Sequence, residues 1–499
     1  MKLFSLFMLF ALAALPSCRN FIDEVRDNRT LIDSEDKAAQ LLVYAYVNAQ
    51  YAVFAESMSD NADDNGTSGT GYAKYDQANM EAYLWKDYES MTDKDTPSNF
   101  WIESYKAIAQ ANQALVSLEK LNLKTKRSAS LRGEALLARA YAHFMLANLF
   151  ALRYDPATAS AALGIPYILS PEQNAIVQYR RETMAETYRL IEKDLTEGLP
   201  LIGNDYEKPK FHFSPKSAHA FAARFFLYKG EWDKVIKYAS VVLGDAPATA
   251  IRDWVAESYR KLPATEQRIA YSAPTERANL LIGWTGSLVG RLVGLYRFGL
   301  SAEKQSKLFY PVNLFGKKWA YPIYYNKIES NRFIPKYREY FRYTNVSAGT
   351  GYPNASFVHF TADEALLNRA EAYAMLDRFE EASNDLTAFL SIKTIGFNAD
   401  RDRVTPELMG SAYPKRNDEY TPFYPLSNDQ ASFVKGIAEF RRREFCHEGM
   451  RWLDIKRFNL AVTHKQARAD SLVLQKNDLR KAIQIPETAK AFGITPNKR

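Results

Sequence analysis

Two stretches of the sequence, residues 217–243 and 363–390, carry the same helix–turn–helix pattern at a constant offset of 147 residues. The equivalent residues are Ala223 and Ala370, Phe226 and Tyr373, Trp232 and Phe379, and Val235 and Ala382. Small residues that face large ones let two antiparallel helices pack closely, as in tetratricopeptide units. Such hairpins bury their apolar faces against their neighbours. We therefore predict a mainly α fold of tetratricopeptide-like helical repeats with long, irregular, loop-rich insertions.

Segments nearer the amino terminus also place apolar residues at the spacing of an α-helix. They are residues 35–56, which follow the helix-capping Ser34, and residues 98–121 and 128–151. Residues 133–151 are predicted to pair with residues 182–200 as a third helical unit, interrupted by an insertion that carries the sequence GIPYIL.

Residues 34–499 are predicted to form one domain, whose helical scaffold covers residues 34–243 and 362–460. Between these two parts, residues 244–361 contain proline, glycine and many aromatic residues without sustained helical periodicity. Long loops with little regular structure inside a compact protein tend to be functional. We expect this aromatic, loop-rich insertion to contribute to binding.

The amino terminus has the features of a secretory leader. Residues 3–15 are apolar apart from one serine, and 13 residues are too few for a helix that spans a bilayer. We predict a signal peptide over residues 1–17 and a lipidated tether over residues 18–33, because the sequence LPSC resembles the bacterial lipobox. Lipidation of Cys18 would leave Cys446 without an intramolecular partner. The alternative is an ordinary cleaved signal followed by an incidental cysteine.

The composition argues against two broad classes of function. The net charge of +7, from 65 basic and 58 acidic residues, is spread along the chain without a long block of like charge, so we expect no nucleic-acid partner. The motifs HExxH, GxSxG, GxxxxGK[ST] and CxxC are absent. We predict that the protein is not an enzyme, although a hydrolytic pair of carboxylates is defined in space and leaves no linear motif.

One short stretch resembles a calcium loop. Asn61, Asp63 and Asn65, followed by Gly66, match its first ligand positions, but Tyr72 stands where the loop needs a bidentate glutamate. A solvated turn is the preferred interpretation. We predict no cofactor, with weak calcium binding near these three residues as the alternative.

Two groups of residues combine flat apolar rings with polar side chains, the combination that sugar and peptide sites both use. The first group lies in residues 60–88 and comprises Asp60, Asn61, Tyr72, Tyr75, Tyr83 and Trp85. The second comprises Trp284, Trp319, Tyr321 and Tyr324. Each ring taken singly fits a place in the core as well. The prediction concerns the groups, some members of which should form an exposed concave patch.

Residues 436–461, GIAEFRRREFCHEGMRWLDIKRFNLA, resemble the carboxyl-terminal signature of the SusD/RagB family. The matching residues are Arg442, Arg443, Glu444, Glu448, Gly449, Arg451, Asp454 and Arg457. We expect their charges to form structural ion pairs on a helix that ends near a glycine. The lipobox, GIPYIL, the two repeats and a late IPE at 485–487 occur in the family's order, whereas the family's asparagine-rich terminus is missing.

The resemblance implies a surface-exposed outer-membrane lipoprotein that acts as a lid on a SusC-like TonB-dependent transporter. It also implies a non-catalytic protein that captures oligosaccharides and delivers them into the barrel. Capture of oligopeptides is the alternative within the family, and the sequence hardly separates the two. An alternative from a different class of function is a surface lipoprotein that serves only as a protein scaffold.

Overall fold

The computed structural model describes residues 32–66, 75–88, 93–172, 177–325 and 331–499. The predicted signal peptide, Cys18, most of the predicted tether and Tyr72 lie outside the described residues. Within the described ranges, no helix is both long enough and apolar enough to cross a membrane.

The described residues contain nineteen α-helices, and the predicted mainly α fold is confirmed. The first eight are α1 (Glu35–Leu42), α2 (Ala52–Met58), α3 (Gln77–Tyr83), α4 (Pro97–Leu121), α5 (Lys126–Phe150), α6 (Met184–Gly198), α7 (Pro215–Lys229) and α8 (Trp232–Leu243). Five short helices follow: α9 (Pro247–Ala250), α10 (Glu257–Arg260), α11 (Ala264–Tyr271), α12 (Val289–Leu292) and α13 (Ala302–Phe309). The last six are α14 (Ala362–Met375), α15 (Phe379–Ser391), α16 (Pro406–Ala412), α17 (Asn428–Glu444), α18 (Met450–Arg457) and α19 (Glu487–Lys490).

The strands are few and pair antiparallel throughout the described part of the chain. They are β1 (Asp63–Asp64), β2 (Asn279–Gly286), β3 (Phe298–Gly299), β4 (Tyr324–Tyr325), β5 (Arg332–Phe333), β6 (Glu339–Asn345), β7 (Thr350–Thr361), β8 (Val462–Gln466) and β9 (Ala469–Leu474). The largest of these sheets has three strands in the order β2–β7–β6. The other pairs are β1 with β3, β4 with β5 and β8 with β9.

The two predicted repeats are the helical hairpins α7–α8 and α14–α15, and α14 packs against both helices of the first hairpin. The turns of the hairpins contain Gly230 and Asp377, which are related by the same offset and have φ of 72° and 58°. A left-handed residue at this point ends the first helix and lets the chain reverse. Ala223 and Ala370 are fully buried, as close packing of the helices requires.

The third predicted unit is also a packed pair of helices, α5 and α6. Gly133 and Gly198 mark their closest approach, because a Cβ atom built on either residue would lie 2.9 Å from the carbonyl oxygen of the other. The insertion that carries GIPYIL connects the two helices. The pairing predicted from the sequence is therefore present.

The predicted irregular insertion contains a sheet that the sequence pattern did not reveal. β7 pairs with β2 on one side and with β6 on the other. The last eight residues of β7 are all buried, so this strand lacks the alternation of apolar and polar residues that indicates a half-buried strand. Phe357 of β7 contacts Tyr51 at a ring-centroid distance of 5.4 Å and ties one face of the sheet to the helical core.

Residues 436–461 form two helices, α17 and α18, where the sequence predicted one helix that ends near a glycine. Gly449 starts α18 in the left-handed region, with φ of 73°. A Cβ atom at this position would lie 3.0 Å from the Cα atom of Ala52, so the turn packs closely on α2. The missing side chain thus lets the two helices change direction against the core.

The charges of this segment form buried ion pairs, as predicted. Arg441 donates to Asp454 over 2.9 Å, and both side chains are at most 1% exposed. Arg457 pairs with Glu371 of α14 and also with Asp454. The segment therefore links α17, α18 and the second repeat and has a structural role.

Candidate ligand-binding surface

Four of the predicted binding aromatics lie in the core: Tyr83, Trp85, Trp319 and Tyr321 are each at most 8% exposed. The rings of Tyr83 and Trp85 stack on the imidazole of His464, with centroid distances of 4.0 and 4.2 Å. Their prediction as ligand contacts is wrong, because β8, which is distant in sequence, covers both rings.

Trp319 and Tyr321 are buried by the signature helix α17. The ring of Trp319 packs edge-on against Phe440 at 5.8 Å, and the hydroxyl of Tyr321 donates to Glu444 over 2.9 Å. Their prediction as surface platforms is wrong for the same reason, since a later segment of the chain covers them.

Asp60 and Asn61, which were predicted to contact the ligand, instead form hydrogen bonds with arginines of the signature segment, residues 436–461. Both carboxylate oxygens of Asp60 accept hydrogen bonds from Arg451 over 2.8 Å, and the carbonyl oxygen of the Asn61 side chain accepts one from Arg442 over 2.7 Å. Burial raises the pKa of the Asp60 carboxyl, but the charges of Arg442 and Arg451 outweigh it and hold the pKa well below its usual range. Asn61 is only 1% exposed, so its prediction as a ligand contact is wrong.

The side chains considered for calcium each have a protein partner. Asn61 contacts Arg442, Asp63 accepts a hydrogen bond from Ser301 over 3.0 Å, and Asn65 donates to the carbonyl oxygen of Arg297 over 3.1 Å. Asp63 lies in β1, which pairs with β3.

Three predicted residues keep exposed ring surface. Tyr75 is 69% exposed, while Tyr324 and Trp284 are half-buried. The hydroxyl of Tyr324 donates to the carbonyl oxygen of Leu262. Trp284 is the predicted residue that the sheet brings together with further exposed rings and charges.

Strand register places Trp284 beside side chains that the sequence did not single out. Trp284 lies opposite Ser356 on β7, and Ser356 exchanges hydrogen bonds with Arg338, which immediately precedes β6. Side chains two residues apart on a strand share a face, so Tyr340 lies on the same face as Arg338. The rings of Trp284 and Tyr340 meet edge to face at 4.6 Å, and the Tyr340 side chain is 40% exposed.

The same face continues toward the tip of the β6–β7 hairpin. Arg342 lies opposite Tyr352, with its guanidinium 6.0 Å from the centre of that ring. The ammonium group of Lys94 lies 3.7 Å from the same ring centre. The guanidinium of Arg338 lies 5.9 Å from the ring of Trp284. We call these residues the cation–aromatic face: Lys94, Trp284, Arg338, Tyr340, Arg342 and Tyr352.

The cations of this face have few acidic neighbours. No carboxylate of the described residues forms an ion pair with Arg338 or Arg342, and Glu339, which stands between them in sequence, is paired with Arg291. Burial lowers the pKa of the Lys94 ammonium, and Asp95 and Glu103 offset part of this effect.

An unpaired amide lies beneath the face. Asn354 is 1% exposed, and its side-chain nitrogen has no hydrogen-bond partner within the described structure. Asn354 of β7 is paired with Gly286 of β2 on one side and with Tyr340 of β6 on the other. The side chain of Lys94 lies over Gly286. A buried donor without a partner is rare in folded proteins.

An apolar groove of about 940 Å³ is the alternative site. It lies between α1, α4 and the carboxyl-terminal segment, and Tyr44, Ile102, Ile168 and Phe492 contribute to its lining. Its lining includes Ile32 and Glu172, each of which stands at the end of a described range.

One buried cluster has the side chains of a metal site. Ligand atoms of Glu56, Cys446 and His447 lie within 4.8 Å of one another. Both oxygens of Glu56 already accept hydrogen bonds, from the backbone N–H groups of His447 and Gly449 and from the Asn61 amide. The carboxylate therefore holds the turn before α18 and has little capacity left for an ion.

Two models of one protein family match most of the chain. A model described as "Starch-binding associating with outer membrane" matches residues 20–227, and the model of the SusD family matches residues 302–492. The chain belongs to the SusD family. The expectation drawn from the signature segment is thereby confirmed.

Individual SusD relatives are distant in sequence and close in fold. The SusD-like protein P2 of Formosa agariphila is 22% identical over 408 residues, which are 74% of this chain and 73% of the relative. A SusD superfamily protein of Bacteroides thetaiotaomicron matches with a TM-score of 0.67 at 18% identity and covers 93% of this chain and 100% of its own. A putative sugar binding protein of Bacteroides vulgatus matches with a TM-score of 0.69 at 17% identity, covering 94% and 99%.

The sequence carries little local signal for the face within this SusD chain. Arg338, Tyr340 and Arg342 stand two residues apart, which places them on one face of a strand. The stretch does not alternate polar with apolar residues, so it was not distinguishable among the other aromatics of the insertion. Lys94 and Tyr352 have no such local signal, because only the fold brings them to Trp284.

Proposed function

We propose that this protein is a cell-surface lipoprotein that captures oligosaccharides and delivers them to a SusC-like TonB-dependent transporter, on which it acts as a lid. The observation that carries the proposal is the cation–aromatic face, where half-exposed rings lie beside charged donors. The description of the amino-terminal family model names starch binding and the outer membrane. Two solved relatives are described as a sugar binding protein and a SusD-like carbohydrate binding protein, which supports the same class of ligand.

The chemistry of the face suits a sugar ring. The exposed surfaces of Trp284 and Tyr340 offer flat apolar contact at little entropic cost, because an aromatic side chain has only two rotatable bonds. Arg338 and Arg342 present planar sets of N–H donors that can orient hydroxyl or acidic groups beside the rings. Binding of this kind needs no reacting group, and we infer that the protein binds its ligand without cleaving it.

The anchor in this proposal is Cys18. Lipidation there, followed by the tether over residues 18–33, would hold the fold at the outer membrane, since several acyl chains make attachment effectively permanent. Cys18→Ala should move the protein from the outer-membrane fraction to the soluble fraction without changing its ligand affinity. Retention of the variant in the membrane fraction would contradict lipidation at this residue.

The binding proposal is tested by calorimetric titration of the full protein, purified in detergent from membranes, with oligosaccharides from a panel of plant, algal and bacterial glycans. Trp284→Ala should weaken binding by about 2 kcal/mol, roughly thirtyfold, which is typical of a central tryptophan in a binding surface. The matched control is Phe492→Ala, which removes a ring that is 43% exposed at the apolar groove. Loss of binding in the control alone would place the ligand in the groove instead.

The remaining outcomes separate the alternatives. Titration by a peptide digest and not by any glycan would assign the protein to oligopeptide capture. Purification of the tagged protein from its native membrane should bring down a large β-barrel protein. A protein that binds neither glycan nor peptide and brings down no barrel would be a scaffold, and the proposal would fail.

A further inference from the structure

We propose that the cation–aromatic face selects oligosaccharides that carry negative charge, through carboxylate or sulfate groups. This inference rests on the proposed function and names its class of ligand. It begins from Arg338 and Arg342, which are both exposed beside aromatic rings and both without an acidic partner among the described residues.

The arginines around them are used differently. Arg291 pairs with Glu339 on the opposite face of β6, and Arg297 makes two hydrogen bonds of 2.7 and 2.8 Å to Asp64. The acidic residue next to the face, Asp95, is 5% exposed, and its oxygens accept hydrogen bonds from Ser287 and from the Leu288 N–H group. The nearby acids are therefore occupied, and the positive charge of the face is not cancelled.

The spacing of the charges fits an extended polymer. Arg338 and Arg342 are four residues apart on one strand face, which corresponds to about 13 Å along the strand. Tyr340 stands between them, and Trp284 and Tyr352 lie beside them on β2 and β7. A chain that stacks one ring on Tyr340 can thus place acidic groups of neighbouring sugars at both guanidiniums.

Arginine is matched to this task. Its planar donors bind carboxylate and sulfate oxygens with two parallel hydrogen bonds, and such charged hydrogen bonds are about twice as strong as neutral ones. Lys94, whose ammonium lies over Tyr352, adds a third positive charge at the hairpin end of the face. A neutral oligosaccharide would gain the ring contacts but not these charge-assisted bonds.

The test titrates the full protein with charged oligosaccharides and with uncharged counterparts of the same backbone. The pairs are oligogalacturonate with its methyl ester and sulfated galactan fragments with their desulfated form, which separate carboxylate from sulfate recognition. Alginate fragments widen the charged panel, and starch and xylan fragments widen the neutral one. We expect at least one charged ligand to bind about tenfold or more tightly than its counterpart, with weaker binding at higher salt.

Variants test whether the face supplies the selectivity. Arg338→Gln and Arg342→Gln should each weaken binding of the charged ligand about tenfold and weaken binding of the uncharged counterpart by a clearly smaller factor, because the glutamine amide still offers N–H donors to hydroxyl groups. The matched control is Arg132→Gln, which removes an exposed arginine of α5 outside the face. It should leave the affinity unchanged and so exclude an effect of total charge.

Three results would overturn the inference. Equal or tighter binding of the uncharged counterpart, or of starch or xylan fragments alone, would remove charge selection while the proposed function stands. Binding of acidic peptides in place of any glycan would assign the same charges to peptide capture. No binding of any oligosaccharide would remove the proposed function and this inference together.

Discussion

The arginines of the signature helices and those of the sheet face have opposite surroundings. Arg441 and Arg457 have side chains at most 4% exposed, and each contacts a buried carboxylate. Arg338 and Arg342 are exposed on a strand at the sheet edge, beside rings and without carboxylate partners among the described residues. The first pair holds elements together, whereas the second pair is available to a ligand.

The difference shows how the setting of one residue type decides its role. Removing a charge from water is expensive, so a buried guanidinium persists only with partners that compensate it. An exposed guanidinium carries no such cost and needs no partner for the fold to be stable. The charged signature by which the family is recognised therefore concerns stability, and the residues that contact ligand must be sought where charges are unpaired.

The largest expected effect comes from breaking a buried pair. Glu371→Gln leaves Arg457 with less compensation for its buried charge, and we expect the free energy of unfolding to fall by about 3–5 kcal/mol. The matched control is Glu303→Gln, which removes exposed ion pairs to Lys307 and Lys465 and should leave the free energy of unfolding nearly unchanged. Urea denaturation of both variants measures the difference. Equal stability of Glu371→Gln and wild type would contradict the structural role of the signature.

A second test compares two tryptophans that the sequence placed in one group. Trp319 is 6% exposed in the core, so Trp319→Ala should cost about 3 kcal/mol of folding free energy. Trp284→Ala removes a half-buried ring and should cost clearly less stability while it reduces ligand affinity. Thermal unfolding of both variants measures the loss of stability, and titration with the ligand measures the loss of affinity. If Trp319→Ala lost affinity at unchanged stability, the assignment of core and surface would be reversed.

A smaller effect depends on pH. Burial, with the charge of Arg139, lowers the pKa of His143 to about 3, and its Nε2 accepts a hydrogen bond from the Ile168 N–H group. The imidazole of the unfolded chain titrates near 6.5, so the unfolded state binds the proton more readily than the folded state. The contribution of His143 to the free energy of unfolding is therefore present above that pH and is lost as the pH falls. From pH 7.5 to 5.5 it should decrease by about 1.4 kcal/mol.

His143→Gln provides the comparison for this prediction. The variant should lose about 1.4 kcal/mol less stability than wild type over the same interval, as measured by urea denaturation at both pH values. An identical pH dependence would show that His143 does not titrate in this way.

Most helical elements were predictable because their signal is local, although residues 43–51 inside the predicted helical stretch 35–56 are not helical and separate α1 from α2. The two repeats show matching residues at one offset, and the turn residues Gly230 and Asp377 preserve that offset in the structure. The sheet was missed because β7 is mostly buried and does not alternate. The residues around the start of β6 do not alternate either, because Tyr340 and Phe341 stand side by side between charged residues.

The binding residues were less predictable because burial is decided by distant segments. Trp85 is covered by His464, and Trp319 by Phe440, and no local feature of either tryptophan indicates these partners. Composition therefore identified aromatic-rich regions without separating core rings from exposed ones. Of the aromatic residues that were predicted to bind ligand, Trp284 is the one that strand pairing brings to the cation–aromatic face.

The contact between Asp60 and Arg451 joins residues that are 391 positions apart in the chain. Both oxygens of Asp60 receive their hydrogen bonds from this late arginine, so the amino-terminal helices cannot complete their packing while the chain is still being made. Such long-range contacts slow folding, since a large loop must close before they form. The final structure is thus reached only after almost the whole polypeptide is available, and a truncated product would lack the arginine that closes this junction.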